Sequence, residues 1–292
     1  MNTVRGKKHE ARGKEGWSQR ATFSLMWSVL ASCLLLLASK TMISFSHVSY
    51  SVPQGFNEQR ILLDDVSFEL PKGAISCIIG TSGSGKTTLL RLMAGLIRPD
   101  AGQIRVNGHL ISKMNERQMC AVRAEMGFVF QYSALFDSMN VGENIGFGLE
   151  RQKKPRAEIE ATTARLLHDV GLSGIEGKRP SELSGGMKKR VAMARALATS
   201  PQIVLYDEPD SGLDPVMTRV IDNLIVGLRD THGTTNVVVT HNLDSIRRIA
   251  DYVLMIHTGA LIAQGSFPEI AASPSPVVQQ FLAGEAQGPI MV

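Results

Sequence analysis

Aromatic residues are scarce: two Trp, four Tyr and ten Phe make up 5% of the chain. A surface that stacks successive bases of single-stranded nucleic acid needs a richer supply, so that class is disfavoured. Cysteine is scarcer still. Cys33, Cys77 and Cys120 are far apart, fit no metal-ligand spacing and cannot all pair, which points to a reduced, cytosolic setting. A charge excess is missing from most of the chain as well. The net charge of +4 comes from residues 1–40, which hold seven Lys/Arg and two acids, whereas the other 252 residues hold 24 basic and 25 acidic side chains. That body carries no electrostatic bias towards nucleic acid. Internal repeats and low-complexity tracts are absent too.

What is present reads as alternating strands and helices in a chain of 292 residues, long enough for one large domain or two small ones. "ISFSHVSYSV" and "VSFEL" alternate apolar and polar residues, as half-buried antiparallel strands do. "AISCIIG" is nearly continuously apolar, as a buried parallel strand is, and "KTTLLRLMAGLI" after it predicts a helix ending near "RPDAG". "QIRVNG" and "MGFVFQ" are short strands. From about Val141 to Leu197 the pattern turns helical, "RAEIEATTARLLHDVGL" being the clearest case, and a helical subdomain is expected over about residues 132–200. "QIVLYDEP", "NVVVTH", "DYVLMIHTG" and "ALIAQG" return to strands before a helical tail. The expectation is an α/β core with a small antiparallel β-subdomain at the front and a helical insertion in the middle.

Between the strand and the helix sits "GTSGSGKTTLL". Gly80, Thr81, Ser82, Gly83, Ser84 and Gly85 form a loop, and Lys86, Thr87 and Thr88 open the helix. The spacing Gly-x4-Gly-Lys-Thr is that of a P-loop in its required context. Its backbone N–H groups and the helix N-terminus make an anion nest. Lys86 is expected to reach the β- and γ-phosphates of a nucleotide, and Thr87 to ligate Mg2+. In "IVLYDEP", Asp207 and Glu208 project from the end of a buried strand. Adjacent carboxylates there are most often solvated turn residues. Downstream of a P-loop they suit metal binding by Asp207 and polarisation of an attacking water by Glu208. The expected chemistry is ATP hydrolysis.

Residues 1–41 conflict with that chemistry. The basic stretch runs into "ATFSLMWSVLASCLLLLAS", an apolar run of roughly signal-peptide or short transmembrane length. The positive-inside rule would keep the N-terminus in the cytoplasm and send the remainder outward, away from ATP. Three readings stay open: a start misassigned upstream of Met42, an organellar transit peptide, or a membrane anchor.

"ELSGGMKKRVAMARALAT" adds a second device: a Ser-Gly-Gly turn opening a helix whose Val191, Ala194, Leu197 and Ala198 share an apolar face. A helix N-terminus of this kind is another anion site. Two phosphate-binding devices in one chain fit a nucleotide held between two subunits.

Over about residues 43–284 the ordered set resembles the nucleotide-binding subunit of an ABC transporter. Tyr50 resembles the aromatic that stacks on adenine, Gly80–Thr87 the Walker A loop and Gln131 the Q-loop glutamine. Leu183–Met187 resembles the signature, Asp207–Glu208 the Walker B pair, Ser211–Asp214 the D-loop and His241 the switch histidine. The resemblance implies a homodimer closing on two ATPs, with Ser184, Gly185 and Gly186 contacting the second copy's γ-phosphate. It makes Glu208 the general base, places Gln131 and His241 around the γ-phosphate, water and Mg2+, and puts Asp214 at the nucleotide. Two positions depart from the usual pattern: Met187 stands where Gln is common, and Asp210 where Thr is common. Neither replaces a phosphate or metal group.

"LSGGMKKRVAMARAL", "ALFDSMNVGENI" and "QQFLAGEAQGPI" further resemble the ATPases of Mla-type phospholipid transporters. That likeness implies a permease docking near Phe136–Ile145, an MCE-domain lipid-binding partner, no nucleic acid, and a peripheral place on the cytoplasmic face of the inner membrane, or of an organellar inner membrane if residues 1–41 are a transit peptide. Rival cargoes are another imported solute or a released lipoprotein. A soluble relative acting on DNA or ribosomes would need a long coiled-coil insertion or a second ATPase domain, and the chain has neither. Residues 285–292 form a C-terminal tail.

Overall fold

The computed structural model describes residues 41–55 and 58–290. The expectations for residues 1–40 lie outside the described residues.

Two sheets organise the body. A four-stranded sheet has the order β2-β1-β4-β5, formed by β1 (Thr41–Pro53), β2 (Gln59–Pro71), β4 (Ala101–Val106) and β5 (His109–Leu110). β1 pairs antiparallel with β4, as does β5. β5 was not legible in the sequence, because its two residues are too few to show a period. It exists because Asn107 and Gly108 both adopt positive φ (47° and 80°) and fold β4 back on itself.

The second sheet has the order β10-β9-β3-β8-β7-β6. β3 (Ile75–Gly80), β6 (Met126–Val129), β7 (Ile203–Asp207), β8 (Thr235–Val239) and β9 (Tyr252–His257) run parallel, and β10 (Ala260–Gly265) closes the edge antiparallel. Every residue of β3, β7 and β8 is buried, as expected for strands covered on both faces. Alternate side chains feed two cores. Ile75, Cys77 and Ile79 join Val204 and Tyr206 on one face, while Ile78 joins Ile203 and Leu205 on the other. Each such side chain contributes roughly 1.5–3 kcal/mol by leaving water.

The helices cover these cores. α1 (Lys86–Met93) follows β3, and α2 (Glu116–Arg123) precedes β6. α1 ends short of the "RPDAG" segment at which the apolar pattern places its stop. Ala94 caps it and Gly95 takes φ 61°, where a Cβ would meet the Met119 side chain at 2.2 Å. The helical insertion is α3 (Val141–Arg151), α4 (Arg156–Asp169) and α5 (Gly185–Leu197), packed against one another. α6 (Pro215–His232), α7 (Leu243–Ile249), α8 (Phe267–Ala271) and α9 (Pro276–Ala283) complete the body. Among the described residues no helix is long and apolar enough to cross a membrane. The fold is thus the expected α/β P-loop core with its antiparallel β-subdomain and helical insertion.

Candidate functional site

The carboxyl ends of the parallel strands place the site, as they do in open α/β sheets generally. β3 delivers the glycine loop, β6 delivers Gln131, β7 delivers Asp207 and Glu208, and β8 delivers His241. The loop's path demands glycine at its first position. Gly80 has φ 146°, and a Cβ there would stand 1.9 Å from the Ile256 carbonyl oxygen. Gly80, Ser82, Gly83, Gly85, Lys86, Thr87 and Thr88 line an open cleft of about 670 Å³ together with Gln131, Glu208 and His241. Arg60 and Leu62 of β2 close its other wall.

Lys86 is buried, and its Nζ donates to the Gly80 and Thr81 carbonyls at 2.8 Å each. Burial lowers its pKa, while the Glu208 and Asp207 carboxylates push the other way. Thr87 Oγ1 donates to Asp207 Oδ1 at 3.0 Å. Burial raises the Asp207 pKa, an effect that Thr87's hydrogen bond opposes. Gln131 Nε2 donates to Glu208 Oε2 at 2.9 Å, and His241 Nδ1 lies 3.7 Å from Glu208 Oε1. Glu208 itself sits in the left-handed region at φ 46°, its N–H bonded to the Val239 carbonyl at 2.9 Å. Such a backbone conformation at a non-glycine residue costs of order 1–3 kcal/mol and collects at functional sites.

The residues present suit ATP with Mg2+. A hydroxyl and a carboxylate already aligned at a strand end are the hard oxygen donors that Mg2+ takes. Among the described residues Ser84 Oγ, inside the loop, is buried with no hydrogen-bond partner.

Other expected residues lie elsewhere. Ser184 caps α5 by accepting from the Met187 N–H at 3.3 Å, with Gly185 and Gly186 in the first turn. None of the three lines the cleft. A Cβ on Gly186 would stand 2.6 Å from Met217 Cε of α6. Asp214 caps α6, accepting from Val216 N and Met217 N at 2.9 and 3.0 Å, so its side chain serves the helix. Tyr50 packs partly buried against the second core and does not line the cleft. Four residues escaped the sequence reading: Arg60, Leu62, Lys189 and Thr240. Lys189 had a signal, since Ala192, Met193 and Ala196, three, four and seven residues further along the helix, are all buried and mark an inward face.

The surface around Phe136 is built with equal care. Buried Asn144 accepts the Phe136 N–H at 2.8 Å and donates to the carbonyls of Phe136, Met139 and Asn140. Arg195 of α5 donates to the carbonyls of Ser133 and Ala134, both at positive φ, and lies over the Phe136 ring. Tyr132 is 87% exposed and Phe136 41%.

A phosphate cradle between strand and helix, backed by a carboxylate pair at a neighbouring strand end, defines a P-loop nucleoside triphosphatase. More narrowly, the chain belongs to the ABC transporter family, whose description matches residues 63–211, and it is an ATPase of that family. It is 41% identical over 232 residues to the intermembrane phospholipid transport system ATP-binding protein MlaF of Escherichia coli K12, covering 79% of this chain and 86% of that one. It is 39% identical over 249 residues to the methionine import ATP-binding protein MetN of Caulobacter vibrioides, covering 85% and 74%. The dimeric post-hydrolysis structure of the ATP-binding cassette MJ0796, bound to ADP and Pi, superposes with a TM-score of 0.71 at 28% identity, covering 77% and 98%.

Asp207 separates function from stability. Its raised pKa means that the ionised carboxylate opposes folding at neutral pH, and that this penalty starts to fall as pH drops through the folded value and is gone below the unfolded one. Asp207→Asn keeps the acceptor for Thr87 and removes the buried charge. The expected result is a melting temperature above that of the parent. Mg2+-dependent hydrolysis is expected to be lost in the same variant. A lower melting temperature would contradict this assignment of cost.

Proposed function

We propose that this chain is the ATP-hydrolysing subunit of a transporter that moves phospholipid through a separate membrane permease. Two copies close on two ATPs, closure moves the permease, and hydrolysis resets the pair. Within each site Lys86 and the loop N–H groups hold the β- and γ-phosphates, and Tyr50 stacks on adenine. Thr87 and Asp207, with Gln131, would hold Mg2+, which when bound screens the phosphate charge. Glu208 takes the proton of the attacking water, and Gln131 and His241 fix the water and γ-phosphate around it. Ser184, Gly185 and Gly186 complete the partner copy's site, with Asp214 fixing the segment beside them.

The observation that carries the paired arrangement is the location of Ser184–Gly186 away from the cleft that Lys86 lines. An anion-binding helix start outside its own chain's site has a use if a second copy brings a nucleotide to it. The dimeric MJ0796 cassette supports the same reading. The segment from Phe136 to Ile145, a loop running into the first turn of α3 and braced by Asn144 and Arg195, with the part-exposed Phe136 ring beside exposed Tyr132, is the docking surface for the permease. Such docking puts the chain on the cytoplasmic face of an inner membrane, with an MCE-domain lipid-binding protein as a further partner.

For the cargo, similarity to MlaF over 86% of its length favours phospholipid. Similarity to MetN favours a solute importer as the second reading. Purifying the tagged chain from detergent-solubilised membranes and identifying its companions by mass spectrometry separates them. A permease with an MCE-domain protein and enriched phospholipid is expected. A permease with a solute-binding protein and no enriched lipid would keep the ATPase and overturn the cargo.

A further inference from the structure

The helix that starts at Ser184 buries a cation five residues further on. Lys189 is 7% exposed, and its Nζ donates to the main-chain carbonyls of Gln131 at 3.2 Å and Glu208 at 3.3 Å. Those carbonyls belong to separate segments, one following β6 and the other following β7. The side chains of the same two residues meet at 2.9 Å in the cleft. One ammonium therefore ties together, from behind, the backbone of the two residues that meet in front.

Burial lowers the Lys189 pKa, and the charges of Asp210 and Glu208 oppose that shift only in part. Asp210 is itself 8% exposed and accepts from Thr240 Oγ1 through both carboxylate oxygens, at 3.1 and 2.9 Å. Thr240 Oγ1 in turn accepts the Asn242 N–H at 3.0 Å, bracing the turn that presents His241. Packing alone would favour an apolar side chain of similar length over a buried ammonium.

We propose that Lys189 is a positioning residue that sets the placement of Gln131 and Glu208 from the signature helix, so that ATP turnover depends on where α5 stands. This rests on the reading in which Glu208 is the general base. Ser184, Gly185 and Gly186 lie at the start of the same rigid helix. Engagement of a second copy's γ-phosphate there is carried through one and a half helical turns to Lys189 and on to the catalytic pair. Asp210, at the position where the resemblance leads one to expect Thr, accepts from Thr240 and so braces the turn that holds His241.

The test compares Lys189→Met, Lys189→Gln and Lys189→Arg in full-length protein, with Glu208→Gln as a reference. Steady-state ATP hydrolysis, binding of a fluorescent ATP analogue, ATP-dependent pairing and thermal melting are measured on each. In Lys189→Met, which keeps the length of the stem, kcat is expected to fall about 10- to 100-fold, as a displacement near 1 Å does at a catalytic group. KM, analogue binding and pairing stay within about twofold, and Lys189→Arg recovers most of the rate. A kcat within twofold of the parent in both Met and Gln variants would overturn the proposal. So would a loss of turnover matched by equal losses of binding and pairing, because that marks a structural role. If Glu208→Gln itself turned over normally, the assignment of the base would fail, whatever Lys189 did.

Discussion

Glu208→Gln is expected to hydrolyse ATP roughly 10³-fold more slowly than the parent, the scale on which a positioned general base acts. ATP binding and the ATP-dependent dimer are expected to survive, with the dimer longer-lived because its nucleotide persists. The substitution suits the question because little else changes. A glutamine oxygen can still accept from Gln131 Nε2, and the residue keeps its place at φ 46° under the Val239 carbonyl. The phosphate cradle, Lys86 and the Thr87–Asp207 pair are untouched. What disappears is the ability to take a proton from water. Rapid hydrolysis in the variant, alongside normal folding, would transfer that role to another group, and His241, 3.7 Å away, would be the first to test.

Much of this site was legible because its residues are local in sequence and strict in geometry. A P-loop needs glycine where a side chain would strike Ile256, and its strand and helix flank it directly. Asp207 ends a fully buried strand and Glu208 follows it, so their position there could be read from the apolar run alone. Parallel strands buried on both faces leave the same strong mark. The residues that escaped are those whose meaning depends on distant partners. Lys189 resembles any lysine of a basic helix until Gln131 and Glu208, 58 and 19 residues away, are found beneath it. Arg60 and Leu62 belong to an alternating strand, and only the folded arrangement sets them beside the loop. Asp214 illustrates the opposite case. Its motif suggested contact with nucleotide, whereas in the fold its carboxylate accepts the first N–H groups of α6. Tyr50 likewise packs against the second core, so its part in adenine stacking belongs to the proposed complex.

The central claim is that each ATP is completed by two copies of this chain, and a mixing experiment tests it most directly. One variant carries Lys86→Met, which removes the phosphate-binding ammonium and leaves the signature intact. The other carries Gly185→Asp, which sets a carboxylate against the partner's γ-phosphate and leaves the loop intact. A Cβ on Gly185 would meet nothing within 4 Å beyond its own helix, and an aspartate in the first turn of α5 suits the helix dipole, so folding is preserved. Either variant alone pairs a damaged element with a sound one at both sites and is expected to be inactive. Mixed one to one and allowed to exchange, they form a dimer with one site damaged twice and one site whole. Turnover then rises to roughly a quarter of the parental rate, because half of randomly formed dimers are mixed and each keeps one of two sites. If turnover stays at the level of the separate variants after mixed dimers are verified by orthogonal tags, the signature acts within its own chain and the account of the shared site is wrong.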